Sequence, residues 1–320
     1  MSAAGTRAAR PPAAGVRALV TGASGFAGRH LVAACTAAGD AVSEASRASG
    51  VDLLDPGRAR AAVAEARPDV VYHLAALAHV GASWQEPSRY LADNVALAHN
   101  VLEAVRAEAP GATVVVVGSG EVYGPPVTLP LTEDAPLRPQ NPYAVSKAAA
   151  DLLAGFHADA HGLRVIRARP FNHAGPGQAA SYAIGSFARQ AAVAAEAGRD
   201  PIRIVTGNPD TRRDYSDVRD VVRAYRLLSE RAEPGTYNVC SGRTASGREL
   251  LAALARTVGA GLEHEVDPAL VRAHDVLEVR GSHERLRRAT GWEPEIALEH
   301  TLADTVGWWR EQLRAGRIAT

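Results

Sequence analysis

Tyr143 and Lys147 are the residues whose types and spacing most clearly suggest chemistry. They lie in the run NPYAVSKAAADLL, four positions apart, so a helix would place both side chains on one face. An ammonium ~4 Å from the phenol, at an effective dielectric of ~20, would favour the tyrosinate by ~4 kcal/mol, or ~3 pKa units, before desolvation opposes it. The pair therefore predicts proton transfer by Tyr143 near neutral pH, although an exposed helix can carry the same two residues without a function.

Ser119 and Glu121 follow the apolar run TVVVVG, which predicts a buried strand. Open α/β sheets place their ligands at the carboxyl ends of strands, so we expect the Ser119 hydroxyl to hydrogen-bond a substrate oxygen. In an extended chain Glu121 would point to the same side as Ser119 and supply an acid or a base. The alternative is a structural carboxylate that bonds the backbone of the turn at Tyr123 and Gly124.

A glycine fingerprint lies in the run ALVTGASGFAGRHLV. Gly22, Gly25 and Gly28 follow a predicted strand and open a predicted helix, which is the context in which such glycines bind a dinucleotide. Gly22 would permit the tight turn, Gly25 would let a pyrophosphate approach the backbone, and Gly28 would let helix and strand pack closely. The positive end of the helix dipole would then attract the phosphates.

The choice of dinucleotide depends on the end of the second strand, about twenty residues further on, where an NAD-selecting carboxylate would normally lie. Ser46 and Arg47 occupy that place, and a hydroxyl beside a guanidinium suits a 2′-phosphate, which favours NADP. The competing assignment makes Glu44 the ribose carboxylate and implies NAD. Asp52 and Leu53 are predicted to flank the adenine, although an Asp at a strand end is commonly a turn residue.

Apolar runs of strand length alternate with helical patterns over the first half of the chain. Their continuous apolarity predicts strands buried on both faces of a doubly wound parallel sheet. We predict an α/β fold with a disordered extension over 1–16, an NAD(P)-binding Rossmann domain over 17–172, to which later segments return, and a smaller C-terminal α/β substrate domain over 173–320. Predicted helices run over about 25–38, 94–108, 143–161, 246–258 and 298–313.

Composition limits the classes of protein. The 320 residues include 35 basic and 35 acidic side chains, so a formal net charge of zero provides no overall attraction for nucleic acid or an anionic membrane. No stretch approaches the ~18 uninterrupted apolar residues that a membrane helix needs. Cys35 and Cys240 are too few for a disulfide framework, and the histidines lack metal-ligand spacing, so we expect no metal and a reducing cytoplasm.

These motifs together resemble the short-chain dehydrogenase/reductase superfamily, specifically its extended branch that acts on nucleotide sugars. The resemblance covers residues 17 to about 313, nearly the whole chain. It implies that Tyr143 transfers a proton, that Lys147 holds the nicotinamide ribose and lowers the tyrosine pKa, and that Ser119 orients the reacting oxygen. We further predict cofactor contacts from Phe26, Leu74, Ala75 and Ala76.

Four later stretches, RPFNHAGPGQ, GNPDTRRDYSDVRDVVRAY, YNVCSGR and TGWEPEIALEHTLADTVGWWR, are similar to enzymes of the GDP-mannose pathway. The resemblance implies that Asn172 contacts the sugar or a phosphate, although alone it would equally suit a loop cap. It also implies that Arg213 and Arg272 bind the diphosphate, and a neutral protein does need such local guanidiniums. Ser83 is a further predicted substrate contact.

The helix predicted around Tyr143 has small and apolar residues on two faces, at Ala144, Ala148, Ala149 and Leu152. A helix that only covers a sheet accounts for one apolar face. In the family this helix and the Ala-rich helix after Asn94 pair with their copies, so we predict a homodimer.

Several activities remain open within the resemblance. The GPGQ element favours NADPH-dependent reduction of the C4 ketone of a GDP-linked 6-deoxyhexose, whereas Glu121 would allow a nucleotide-sugar 4,6-dehydratase, and an epimerase is a third possibility. A non-catalytic dinucleotide-binding module is disfavoured, because Ser119, Tyr143 and Lys147 are all present.

Overall fold

The computed structural model describes residues 15–271 and 276–318. Its central sheet contains six parallel strands: β1 (Arg17–Thr21), β2 (Ala41–Ala45), β3 (Val70–His73), β4 (Thr113–Val117), β5 (Arg164–Pro170) and, much later in the chain, β9 (Gly235–Val239). Their order across the sheet is β2-β1-β3-β4-β5-β9. From β1 the chain first adds β2 on one side and then crosses back to add β3, β4 and β5 on the other, so the strand order reverses between β1 and β3. Ligands of such sheets bind in the crevice at this switch point.

Helices cover both faces of the sheet because alternate strand residues point to opposite sides. Val115 of β4 contributes to the core beneath α1 (Phe26–Ala37), α7 (Val218–Arg231) and α9 (Glu284–Thr290). Its neighbours Val114 and Val116 contribute to the core beneath α2 (Pro56–Ala66), α4 (Pro87–Glu108) and α5 (Pro142–His161). A short helix, α3 (Val80–Ser83), precedes α4.

The later part of the chain forms smaller sheets. β8 (Arg212–Asp217) pairs in parallel with β6 (Asn172–Ala174) and β12 (Glu278–Val279) and antiparallel with β10 (Thr244–Ser246), while β7 (Ile202–Thr206) pairs with β11 (Leu262–Val266). The helices α6 (Ala183–Glu196), α8 (Gly247–Val258) and α10 (Leu298–Arg314) enclose a separate core with these strands.

The fold class predicted from the sequence is confirmed, including the parallel sheet and the smaller C-terminal sheets. The helix predicted to begin near Asn94 begins earlier, because Pro87 provides a favourable first helical residue. The domain limits stay a prediction, and the extension over 1–16 lies almost wholly outside the described residues. Among the helices described, none combines the length and apolarity that a membrane crossing requires.

Candidate active site

The turn after β1 requires glycine at two positions. Gly22 has a φ of +68°, and a Cβ there would lie 2.8 Å from the backbone nitrogen of Ala75. A Cβ on Gly28 would overlap the carbonyl oxygen of Gly22, so α1 can approach the turn only with glycine at this position. Gly25 immediately precedes α1, and no described side chain caps the helix there. The free amide groups at the start of this 12-residue helix suit a pyrophosphate.

Phe26 is the first residue of α1, and its ring stacks on His173 of β6, with centroids 5.9 Å apart. His30, one turn further along α1, bonds the carbonyl oxygen of Pro176 at 2.8 Å. The start of the dinucleotide helix is thereby joined to the segment that carries Asn172. The cofactor contact predicted for Phe26 stays a prediction.

The residues after β2 separate the two candidate ribose contacts. Ser46 is buried and caps a single helical turn over Arg47–Ser49, accepting a hydrogen bond from the Ser49 amide at 3.2 Å. Arg47 is exposed, and no described residue forms a hydrogen bond or ion pair with its guanidinium. Glu44 is also exposed, in the edge strand β2. Arg47 is therefore free to bind an anion, whereas the Ser46 hydroxyl is already used by the turn.

Asp52 and Leu53, predicted to flank the adenine, have structural roles. The Asp52 carboxylate accepts from the Leu54 amide at 3.1 Å, which is the turn contact that the sequence left open as the alternative. Leu53 is 4% exposed and belongs to the core beneath α2 and α4. Their backbone can still line the crevice, so the adenine contact stays a prediction.

Residues 74–76, the other predicted cofactor contacts, lie beside the glycine turn. The amide of residue 74 donates to the Thr21 carbonyl at 3.3 Å, and the amide of residue 75 donates to the Thr21 hydroxyl at 3.2 Å. Asn94 of α4 then holds Leu77 through two hydrogen bonds of 2.7 and 3.1 Å and donates to Ser146 of α5 at 2.8 Å. This buried amide connects the cofactor side of the crevice to the tyrosine helix.

Tyr143 and Lys147 lie on one face of α5, as predicted, and both are buried. Asn141 caps the helix by accepting from the Ala144 amide at 2.8 Å. The Lys147 ammonium donates to the carbonyl oxygen of Val117, the last residue of β4. Burial lowers the pKa of Lys147 to about 8, and Asp151, one turn further on, partly offsets this.

The pKa of Tyr143 moves in the opposite direction from the sequence prediction. Desolvation raises it well above the usual value of 10, a hydrogen-bonding interaction with Ser119 lowers it less, and the charge of Glu121 adds to the rise. The predicted lowering by Lys147 is wrong in this structure, because the ammonium is bound to the Val117 carbonyl and burial dominates. The phenol is therefore protonated at neutral pH and is equipped to give a proton.

Ser119 and Glu121 follow β4, but the chain between them is not extended. Residues Gly120–Tyr123 form a helical turn that Ser119 caps by accepting from the Glu121 amide at 3.1 Å. The prediction that an extended chain points the Ser119 and Glu121 side chains to the same side is therefore wrong. Glu121 is nevertheless near the tyrosine, because its charge affects the Tyr143 pKa, and its carboxylate accepts from the Asn141 side chain at 3.2 Å. This carboxylate bonds a side chain rather than the backbone of the turn.

The predicted substrate residues do not all lie at one surface. Asn172 is exposed at the start of β6 and is in register with Tyr215 of β8. Arg213 lies two residues before Tyr215 on β8, so Asn172 and Arg213 lie close together on neighbouring strands. The Arg213 guanidinium donates to the carbonyls of Arg212 and Val276 at 2.9 and 2.7 Å. Ser83 is fully buried, with its hydroxyl bonded to the Val80 carbonyl at 2.7 Å, so its side chain is not presented at the surface. Arg272 lies outside the described residues.

Sequence analysis missed Arg280. It follows β12, whose Val279 is in register with Arg213, so the Arg280 backbone lies one residue beyond the strand partner of Arg213. The Arg280 Nε is buried without a hydrogen-bond partner within the described ranges and forms an ion pair with Glu278 at 3.5 Å, and the side chain lines a cavity with Gly242 and His283. No spacing rule connects positions so far apart in the chain, so no sequence signal could have placed Arg280 near β8.

A buried charge network that the sequence analysis also missed lies behind the lysine. Arg169 of β5 binds Asp151 through two hydrogen bonds of 3.0 and 2.8 Å and donates to the Tyr123 hydroxyl at 3.0 Å. Tyr123 donates in turn to Asn238 of β9 at 2.6 Å. The spacing of Asp151 from Lys147, four residues on one helix, was the available signal.

The proton-transfer helix and the glycine turn reach the same edge of one parallel sheet, which is the arrangement of extended short-chain dehydrogenase/reductases, NAD(P)-dependent enzymes of nucleotide sugars. Within that class, residues 43–305 match the family described as GDP-mannose 4,6 dehydratase. The chain belongs to this family.

Individual relatives are similar over almost the whole chain. GDP-6-deoxy-D-mannose reductase of Pseudomonas aeruginosa is 40% identical, over 93% of this chain and 98% of the relative. UDP-glucose 4-epimerase of Mycolicibacterium smegmatis is 33% identical, over 93% of this chain and 99% of the relative. A solved structure of RMD from Pseudomonas aeruginosa complexed with NADPH has a TM-score of 0.85 and 39% identity, covering 92% of this chain and 99% of that chain.

Proposed function

We propose that this protein is an NADPH-dependent reductase of the C4 ketone of a GDP-linked 4-keto-6-deoxyhexose. The observation that carries the proposal is the buried Tyr143 phenol, which lies beside the Ser119 hydroxyl and shares one helix face with the buried Lys147. Reduction of a ketone needs an acid at the carbonyl oxygen, and the phenol of Tyr143 can supply that proton. The similarity to GDP-6-deoxy-D-mannose reductase supports the same choice.

The chain's own residues supply the proton and the charge stabilisation. Tyr143 donates its phenolic proton to the C4 oxygen as that oxygen becomes an alkoxide. The Ser119 oxygen accepts from the Glu121 amide, and its own hydrogen, which interacts with the Tyr143 oxygen in this structure, can donate to the substrate oxygen when the substrate is bound. Solvent returns the proton to the tyrosinate that remains, and the Lys147 ammonium, held by the Val117 carbonyl, would hold the nicotinamide ribose as the family resemblance implies. NADPH, when bound, supplies the hydride to C4.

NADPH is favoured over NADH because of Arg47. An exposed guanidinium without a protein partner among the described residues can bind a 2′-phosphate through two parallel hydrogen bonds. Glu44 is the residue that would favour NADH. Its carboxylate would repel the 2′-phosphate of NADPH only if the two groups lay close together. The solved relative that contains NADPH supports the NADPH assignment.

A GDP-linked substrate is supported by two arginines near the same strand pair. Arg213 lies on β8, and Arg280 directly follows Val279, the register partner of Arg213. The buried Arg280 Nε has no hydrogen-bond partner in the described part of the chain and lies 3.5 Å from a carboxylate oxygen of Glu278. Two guanidiniums can hold a diphosphate in this otherwise neutral protein, and Asn172 extends from the neighbouring strand toward the sugar. The guanine base is inferred from the family rather than from a contact.

A 4,6-dehydratase is the second candidate, because Glu121 lies near Tyr143. Its carboxylate is oriented by Asn141 and its charge reaches the phenol, so it can exchange protons with a sugar bound at the tyrosine. Such an enzyme would regenerate its own cofactor. An epimerase has no specific observation in its favour beyond the relatives with that name.

We also propose a homodimer through α4 and α5, which pack against each other. Ala144 and Ala148, which suggested this surface in the sequence, are buried against the protein itself and do not form it. Val145, Leu152 and Phe156 are exposed instead, at 40%, 62% and 54%, and together they form an apolar stripe along α5. Light scattering at micromolar concentration should give twice the chain mass, and a monomer mass would reject the proposal.

We keep the cytoplasm as the proposed compartment. Cys35 and Cys240 are free and buried in the structure, so neither forms a disulfide. This agrees with a reducing environment.

The decisive experiment is incubation with a GDP-4-keto-6-deoxy sugar and NADPH. We expect stoichiometric loss of NADPH and a 6-deoxy product reduced at C4, identified by NMR. GDP-mannose alone should remain unchanged. Conversion of GDP-mannose to its 4-keto-6-deoxy form without added NADPH would instead establish the dehydratase.

A further inference from the structure

A group of potential metal ligands lies between α4 and α5, far from the tyrosine. The ligand atoms of Glu103, His157 and His161 all lie within 4.8 Å of one another. His157 is fourteen residues beyond Tyr143 on the same helix, or about 21 Å along its axis. The group is therefore separate from the candidate active site.

The spacing of these residues is that of a helical metal site. His157 and His161 are four residues apart near the end of α5, so they project from one face, and their ring centroids lie 5.2 Å apart. Glu103 faces them from α4, and His99, one turn earlier on α4, has its ring centroid 6.1 Å from that of His157. The four-residue spacing of His157 and His161 is present in the sequence, so the interpretation that the histidines lack metal-ligand spacing is wrong for this pair, but only the packing of α4 on α5 brings the carboxylate to it.

His157 provides an independent indication of a ligand. Its side chain is 1% exposed, and neither ring nitrogen has a hydrogen-bond partner among the residues that the structure describes. The Glu103 Oε1 is 3.8 Å from the Nδ1, which is too long for a hydrogen bond. Buried polar groups are normally satisfied, and an unsatisfied one commonly marks an ion. Burial also lowers the pKa of His157, which keeps the ring neutral, as metal binding requires.

We propose that Glu103, His157 and His161 bind a zinc-like divalent transition metal, with His99 or water as the fourth ligand. Two imidazoles and a carboxylate suit zinc, nickel, copper or cobalt rather than magnesium or calcium. Bonds of ~2.0–2.1 Å place tetrahedral ligand atoms about 3.3 Å apart. The His157 Nδ1 and the Glu103 Oε1 are 3.8 Å apart in this structure, and the exposed His161 and partly exposed Glu103 have room to rotate inward.

Arg106 competes with the metal for the carboxylate. Its guanidinium donates to Glu103 through three hydrogen bonds of 3.1, 3.2 and 2.6 Å. This pair lies at the surface, where ion pairs are weak, so a metal can displace it. Substitution of Arg106 should therefore strengthen metal binding.

Zinc binding should be measured by isothermal titration with untagged protein that has been stripped with chelator. We expect one zinc ion per chain, and Co²⁺ should give the visible absorption of a tetrahedral site. Glu103→Gln and His161→Ala should each weaken binding by at least about tenfold, because each removes one of three ligands. Arg106→Gln should bind zinc more tightly than the parent protein. His300→Ala, which removes an exposed histidine on α10, is the matched control and should change nothing.

Thermal unfolding provides a second measurement. Zinc should raise the melting temperature of the parent protein and of His300→Ala, and much less that of Glu103→Gln. His157→Ala alters a buried position and can fail to fold, so the test rests on the two substitutions at accessible positions. Absence of saturable binding by the parent protein would overturn the proposal, as would unchanged binding by both Glu103→Gln and His161→Ala. Ketone reduction is not the readout, so failure here leaves the proposed function untouched.

Discussion

Substitution of Asp151 by Asn should destabilise the protein strongly, although no predicted catalytic residue is changed. Asp151 is 1% exposed and Arg169 is 4% exposed, and two hydrogen bonds join them. Removing one member of a buried ion pair leaves the other charge uncompensated and typically costs about 3–5 kcal/mol. With an unfolding entropy of about 2.1 cal/mol/K per residue, this corresponds to a melting temperature lower by about 4–8 °C for 320 residues.

The same substitution should alter the pH dependence of turnover. Asp151 raises the pKa of Lys147, which burial has lowered to about 8. Without the carboxylate that pKa falls further, and less of the lysine carries its charge at a given alkaline pH. The alkaline limb of the rate of NADPH oxidation should therefore move to lower pH, a change that a purely structural defect would not produce.

Asp159→Asn is the matched control, because Asp159 is an exposed acid on the same helix. It should change neither the melting temperature nor the pH profile. Differential scanning calorimetry and steady-state NADPH oxidation across the pH range supply both measurements. If Asp151→Asn matched this control in both, the buried pair would support neither the fold nor the lysine.

Four further changes test other parts of the site. Tyr143→Phe should lower turnover by about 10²- to 10⁴-fold with NADPH affinity nearly unchanged, because only the proton donor is lost; retention of most activity would exclude Tyr143 as the acid. Arg47→Ala should weaken NADPH binding by about 10- to 150-fold and NADH binding little, measured by fluorescence titration, and equal losses would reject the phosphate contact. Glu121→Gln should reduce ketone reduction only modestly in steady-state kinetics, whereas a loss of about 10²-fold or more would indicate a proton-transfer role. Burial lowers the pKa of His73 from 6.5 to about 3, so the unfolded chain binds more protons between these pH values and the free energy of unfolding falls as the pH drops through this window. His73→Asn should make that free energy depend less on pH. The idea is refuted if urea unfolding at pH 6.5 and about 4.5 gives the same difference in free energy for the variant as for the parent protein.

Local sequence determined the elements and the motif residues. Continuous apolar runs specified β1, β3 and β4 because buried parallel strands need apolar side chains on both faces. The glycine positions followed from local geometry, since the positive φ of Gly22 and the crowding at Gly28 are properties of one short turn. The shared face of Tyr143 and Lys147 followed from helix periodicity alone.

Only the tertiary structure decided how charged and polar groups act on one another. Burial, which depends on the whole fold, raised the pKa of Tyr143 although its neighbour in sequence predicted the opposite. Strand register placed Val279, the residue before Arg280, opposite Arg213, and the packing of α4 on α5 placed Glu103 beside His157, although nothing in the spacing along the chain relates these positions. Secondary structure depends mainly on neighbouring residues, whereas solvation and electrostatic interactions depend on distances in space, and those become defined only when the chain has folded.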